Sequence, residues 1–117
     1  MKTPEYVDEP WYPDMETYQL EIQQFIVDTV EAQKLDYGLL NLTAEVGELT
    51  DHYAKALRKG CGVDLELVHK ELGDILFMVA LLCSATGTSL GVVAEQNIGK
   101  LLDRKARGVI VGSGDKR

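Results

Sequence analysis

Residues 64–85 read DLELVHKELGDILFMVALLCSA, and this stretch decides the fold. It holds no proline and one glycine, and Val68, Leu72, Ile75, Val79 and Leu82 recur at spacings of 4, 3, 4 and 3. That period places one apolar stripe on a helix of about six turns. Asp64 is a fitting N-cap and Gly87 a fitting stop, so the spacing predicts a helix from about Asp64 to about Ala85. Within it, Glu71 and Asp74 lie three residues apart and therefore share a helix face.

Working outward, the preceding stretch repeats the pattern. Leu39, Leu42, Val46, Leu49, Tyr53 and Leu57 form the stripe of a second helix, read from about Leu39 to Lys59 and stopped at Gly60. Gly38 weakens the stretch just before it. An earlier helix is expected over about Asp14 to Asp36, from the spacing of Met15, Tyr18, Ile22, Phe25, Ile26 and Thr29. A last helix starts at Thr88 or Ser89, continues to about Arg107 and ends at Gly108. All three prolines fall within the first 13 residues, so 1–13 reads as an irregular arm, 14–108 as the helical domain and 109–117 as a tail. Four helices with short links predict an all-α, four-helix bundle, and the long stripes suit packing between copies in a homo-oligomer.

Bulk properties exclude several classes. The chain has 117 residues, room for one domain, and its formal net charge of −7 argues against a nucleic acid polymer as partner. An acidic site can still hold a phosphate-bearing molecule through a divalent cation. Cys61 and Cys83 form no Cys-x-x-Cys pair, and His52 and His69 complete no zinc spacing, so two idle thiols are expected. The longest apolar run, Ile75 to Cys83, is far short of the ~20 residues that cross a bilayer. No apolar leader opens the chain, and a cytoplasmic location, away from the membrane, is the expectation.

The chemistry is carried by carboxylates. Glu45 and Glu48 are three apart on the second helix, as Glu71 and Asp74 are on the third, and each pair adjoins its apolar stripe. Gly47 lies inside the first pair and Gly73 inside the second; a mid-helix glycine costs about 1 kcal/mol against alanine, so close approach of a helix or a ligand is expected there. A lone Glu-x-x-Glu is most often two solvated acids. Two matching pairs on neighbouring helices would instead converge, and converging carboxylates need a cation. Oxygen ligands favour Mg2+, with Mn2+ possible. On the last helix Asn97, Lys100, Arg104 and Arg107 form a polar stripe that either meets phosphate or faces solvent. Lys55, Arg58 and Lys59 admit the same two readings, and the last two also suit the negative end of a helix dipole. The Gly112-Ser-Gly tail could present N–H groups to a phosphate or be a disordered end.

The segments LTAEVGEL (42–49) and ELGDILF (71–77), with 22 residues between Glu48 and Glu71, resemble the Glu-x-x-Glu … Glu-x-x-Asp signature of the MazG-like nucleoside triphosphate pyrophosphohydrolases. Asn97, Lys100-Leu101 and Arg104 look like that family's Asn-x-x-Lys-Leu-x-x-Arg, and the tail GSGDKR (112–117) is similar to the ending of one small single-domain branch. The resemblance covers Tyr18 to Arg117. It implies an all-α homodimer or homotetramer that hydrolyses (deoxy)nucleoside triphosphates between the α- and β-phosphates, as nucleotide-pool house-cleaning. It implies Glu45, Glu48, Glu71 and Asp74 as both metal ligands and catalytic residues, and Lys55, Asn97, Lys100 and Arg104 as substrate-binding. Rival readings are a phosphoribosyl-ATP pyrophosphohydrolase-like enzyme, a di-iron bundle using Glu66-x-x-His69, and a non-enzymatic helical interaction module. The di-iron reading lacks a second Glu-x-x-His.

Overall fold

The computed structural model describes residues 12–117; most of the expected N-terminal arm lies outside the described residues. Four α-helices make up the fold: α1 (Met15–Glu21), α2 (Lys34–Lys59), α3 (Leu65–Ala85) and α4 (Leu90–Ala106), with no strand among the described residues. Three of the four helices open on a side-chain cap, two of them at the expected Asp64 and Ser89. The Asp14 carboxylate accepts from Thr17 N at 2.7 Å, Asp64 from Glu66 N at 3.0 Å, and Ser89 from Val92 N at 3.2 Å. Gly60 and Gly108, at φ 65° and 70°, close α2 and α4 in the left-handed region that glycine enters without strain.

The expected helix over 14–36 is broken. After α1 the chain makes a 3-10 turn (Ile22–Phe25), becomes extended at Ile26 (ψ 117°) and Val27 (ψ 149°), and makes a second 3-10 stretch (Asp28–Gln33). Ile26, Val27, Thr29 and Val30 are β-branched, stiff at χ1 and poor at propagating a helix. α2 then starts at Lys34, earlier than the expected Leu39, and takes Gly38 into its interior. That glycine is needed: a Cβ there would lie 2.8 Å from methyl carbons of both Leu81 and Leu82. Close helix contact therefore offsets the propensity cost. Gly47 and Gly73, where close approach was expected, have nothing within 4 Å of a notional Cβ.

α2 and α3 form an antiparallel hairpin. α2 turns Gly38, Asn41, Glu45, His52 and Ala56 toward α3, a small and polar face. Gly38 packs on Leu81 and Leu82, Asn41 Nδ2 reaches Met78 Sδ at 3.3 Å, and His52 reaches Glu71. The apolar stripe beside that face is left half open, with Leu39, Val46, Tyr53 and Leu57 all exposed. On α3 the buried residues are Val68, Met78, Ala80, Leu81 and Cys83, whereas Leu72 of the expected stripe is exposed.

The core sits where α1 and its 3-10 turn meet the second half of α3 and the start of α4. Leu81 is its one large side chain shielded completely, with Ile22, Met78, Ala80, Cys83 and Leu90 around it and Tyr18, Ile26, Leu42 and Phe77 packed outside. α4 leaves α3 through a 99° bend rather than reversing alongside it. Gln19 fastens that corner. Its Nε2 donates to Ser84 Oγ and Thr88 O, both at 3.0 Å, and its Oε1 accepts from Leu90 N at 2.7 Å. Gln23 Nε2 donates to the same Ser84 Oγ at 3.0 Å. No single helix among the described residues is long and apolar enough to cross a membrane. Cys61 and Cys83 are both free thiols.

Candidate functional site

The antiparallel register of the hairpin sets two acids of α3 against one of α2. Glu45, Glu71 and Asp74 each offer one carboxylate oxygen, and the three oxygens lie within 4.8 Å of one another. Glu45 Oε1 accepts from Asn41 Nδ2 at 3.3 Å, and Glu71 Oε1 lies 3.1 Å from His52 Nε2. The other oxygens, Glu45 Oε2 and Glu71 Oε2, are buried and find no hydrogen-bond partner among the described residues. An unsatisfied buried acceptor costs about 1–3 kcal/mol, more when charged. The Glu45 carboxyl is pushed above its ordinary 4.5, first by desolvation, then by the charges of Asp74, Glu48 and Glu71, with the Asn41 hydrogen bond opposing. Three hard-oxygen donors, two with buried partnerless oxygens, fit a divalent cation of the magnesium or manganese type.

Glu48, the fourth expected ligand, is exposed and outside this trio, although its charge bears on Glu45. His52 is the residue that sequence reasoning missed. It completes no zinc spacing, yet it stands seven positions after Glu45, two turns along the same helix face. The opposed pair of the di-iron alternative, Glu66 and His69, are both exposed and do not join the cluster.

A cavity of about 790 Å³ opens between the start of the described chain, α1, α3 and α4, and none of the trio is among its lining residues. Tyr12, Tyr18, Leu76 and Val93 give it apolar walls; Asn97 and Lys100 supply polar groups, and Lys100 is the one cation among the described lining residues. Tyr18 joins the two regions. It lines the cavity, and its phenol is pushed above 10.0 by burial and then by the charge of Asp74. The aromatic wall was hidden in the sequence, because Tyr18 read as a stripe residue and Tyr12 as part of the arm.

The remaining expected binding residues lie elsewhere. Lys55 is exposed and paired with Asp51 one turn back, at 2.7 Å. Arg104 does not line the cavity. It is buried, with 5% of its surface exposed, and its Nη2 donates to Asp115. The tail is coiled around the Arg117 guanidinium, which donates to Val109 O at 3.0 Å and Gly114 O at 2.5 Å. A Cβ at Gly112 would lie 2.7 Å from Arg117 Cδ and 3.2 Å from Val109 O, so the tail is closely packed there.

Fold and site together define an all-α protein with an acidic, cation-type centre at the middle of a helical hairpin. The chain belongs to the family of the MazG nucleotide pyrophosphohydrolase domain, whose profile matches residues 33–109. It is similar to the Gene 37 protein of Mycobacterium phage L5, with 38% identity over 94 residues, 77% of this chain and 81% of that one. No solved structure matches the chain. The matched region spans the hairpin and all of α4, hence both the carboxylates and the Asn97–Arg104 stripe.

Proposed function

We propose that this protein hydrolyses (deoxy)nucleoside triphosphates between the α- and β-phosphates, releasing a nucleoside monophosphate and pyrophosphate. The observation that carries the reading is the trio Glu45, Glu71 and Asp74 with its two buried, partnerless oxygens; Tyr18, whose phenol feels the Asp74 charge, lines a cavity the size of a small-molecule site. Family membership points to the same reaction class.

Glu45, Glu71 and Asp74 would hold a divalent cation, Mg2+ or Mn2+, with Glu48 completing the set from the rim. Bound there, the cation supplies charge neutralisation for the phosphate chain and acidifies a water. The chain's residues do the rest. Asn41 and His52 fix the Glu45 and Glu71 carboxylates, each through one oxygen, leaving the other free. A carboxylate of the four accepts a proton from the attacking water. Tyr12, Tyr18, Leu76 and Val93 wall the nucleoside, and Asn97 offers it an amide. Lys100 meets phosphate oxygens, with Arg104 next to it on the same stripe. Lys55, engaged by Asp51, is the weakest of the proposed contacts. The catalytic unit is the helical portion 14–108, carrying 109–117 as a tail, and it works as a homodimer or homotetramer in the cytoplasm.

The test is pyrophosphate and monophosphate release from a panel of canonical and damaged nucleotides. We expect release that requires Mg2+ or Mn2+, stops in EDTA, and falls at least ~100-fold in Glu71→Gln and Asp74→Asn. Folded protein that releases nothing from any nucleotide with metal present would sink the reading. Release that survives both substitutions would remove these residues from the chemistry.

A further inference from the structure

Arg104 is the one charged residue buried among the described residues, at 5% exposure. A guanidinium cannot shed its proton, so a desolvated one needs a permanent anionic or dipolar partner. Its partner is the tail. Arg104 Nη2 donates to the Asp115 main-chain oxygen and to Asp115 Oδ1, both at 3.0 Å, and Lys100 Nζ donates to the same Oδ1 at 3.2 Å. The loop is shaped to deliver that one carboxylate. Gly114 takes φ 82°, Arg117 holds the loop from inside, and Arg107 Nη2 donates to the Arg117 main-chain oxygen at 2.6 Å. Asp115 itself is 84% exposed, whereas Lys100 reaches from it to the cavity wall.

Two cations converging on one oxyanion is how a phosphate oxygen is bound. Lys100 and Arg104 are also the two cations assigned to substrate phosphate above, and neither can serve Asp115 and a triphosphate through the same protons. We propose that Asp115 is a built-in stand-in for substrate phosphate: its carboxylate occupies the Lys100–Arg104 anion site in the free protein and is exchanged for a polyphosphate oxygen when nucleotide enters. The proposal rests on the phosphate-binding reading of those two residues.

The energetics favour exchange. An ion pair at an exposed carboxylate is worth little, while a polyphosphate carries more charge and more acceptor oxygens to the same donors. Weak or singly charged anions gain too little to open the contact. The buried Arg104 charge is paired before and after exchange, so opening leaves no orphaned cation. Competition lowers apparent affinity in proportion to the closed fraction.

The experiment is calorimetric binding of magnesium tripolyphosphate, which carries no base, to the full chain and to Asp115→Asn, with turnover of nucleotides measured alongside. Asn keeps the main-chain contact to Arg104 but removes the competing charge. The expected result is binding about tenfold tighter in Asp115→Asn, abolished by adding Lys100→Gln. In the unsubstituted protein, 15N–1H NOE values at Gly112–Arg117 should fall as ligand is added; this readout stands even if Asp115→Asn folds poorly. Unchanged or weaker binding in Asp115→Asn, or NOE values that stay constant at saturation, would overturn the exchange and leave the hydrolase reading intact. Tripolyphosphate that binds neither protein while nucleotides are turned over overturns it equally. Absence of both binding and turnover would remove the phosphate-binding reading itself.

Discussion

Glu45 is the residue on which the site's electrostatics turn. It faces three other carboxylates, and burial and repulsion both raise its pKa from 4.5. A raised carboxyl pKa means that the folded state binds the proton more tightly than the unfolded state. Its favourable contribution is complete below the ordinary glutamate value and is lost as pH rises through the raised one. In EDTA, therefore, Glu45→Gln should melt higher than the unsubstituted protein near neutral pH, and the gap should close as pH falls toward about 4.5. Excess Mg2+ near neutral pH should reverse the order, since the cation stabilises only the ionised site. Differential scanning fluorimetry across pH, with and without metal, reads all three outcomes; a gap independent of pH would show that Glu45 does not feel its neighbours. The acids themselves were legible because Glu-x-x-Glu and Glu-x-x-Asp are local spacings on one helix. His52 and Asn41 were not, because their roles depend on the register between two helices, which no single-helix pattern contains.

At the scale of elements, the caps were readable and the break was not. Asp64, Ser89, Gly60 and Gly108 are punctuation whose chemistry is local, and the helix ends they mark fall within a residue or two of expectation, whereas the uncapped start of α2 lies five residues before it. The chain at Ile26–Val27 keeps apolar residues at three-and-four spacing, a pattern that 3-10 turns satisfy as well as an α-helix does. The two kinds of glycine give a sharp contrast. Gly38→Ala gains helix propensity but drives a methyl into Leu81 and Leu82, where Leu82 Cγ would lie at only 3.0 Å. Urea titration should show it destabilised by about 1–3 kcal/mol. Gly47→Ala meets nothing within 4 Å and should be stabilised by up to about 1 kcal/mol in the metal-free protein. Gln19 is the other element-scale feature, since it ties α1 to the α3–α4 corner through three hydrogen bonds. Gln19→Leu should cost about 1–3 kcal/mol by stranding Leu90 N, and raise hydrogen exchange at the start of α4.

The molecule as a whole leaves a long apolar surface open among the described residues. Its radius of gyration is 17.5 Å, against about 13 Å for a compact chain of this length. Among the described residues only Leu81 of the large side chains is wholly shielded, while Leu40, Leu57 and Leu102 are exposed at 74%, 82% and 61%. The α2 stripe expected from the sequence, Leu39, Leu42, Val46, Leu49, Tyr53 and Leu57, is only partly covered: Leu42 packs against the core, while Leu39, Val46, Tyr53 and Leu57 are exposed. The hairpin needed α2's small and polar face for close contact and for the carboxylates, so the stripe one step around the helix stays available. Gly47 and Gly73 are open as well. Apolar stripes of this length on a soluble protein are normally covered by another chain. The expected solution mass is thus at least twice 13.0 kDa by light scattering at micromolar concentration. Val46→Glu with Tyr53→Glu should lower it to 13.0 kDa, because two charges desolvated in an interface cost far more than two at a surface. A single copy at every concentration would mean that the stripe is tolerated open, and that the site is complete within one chain.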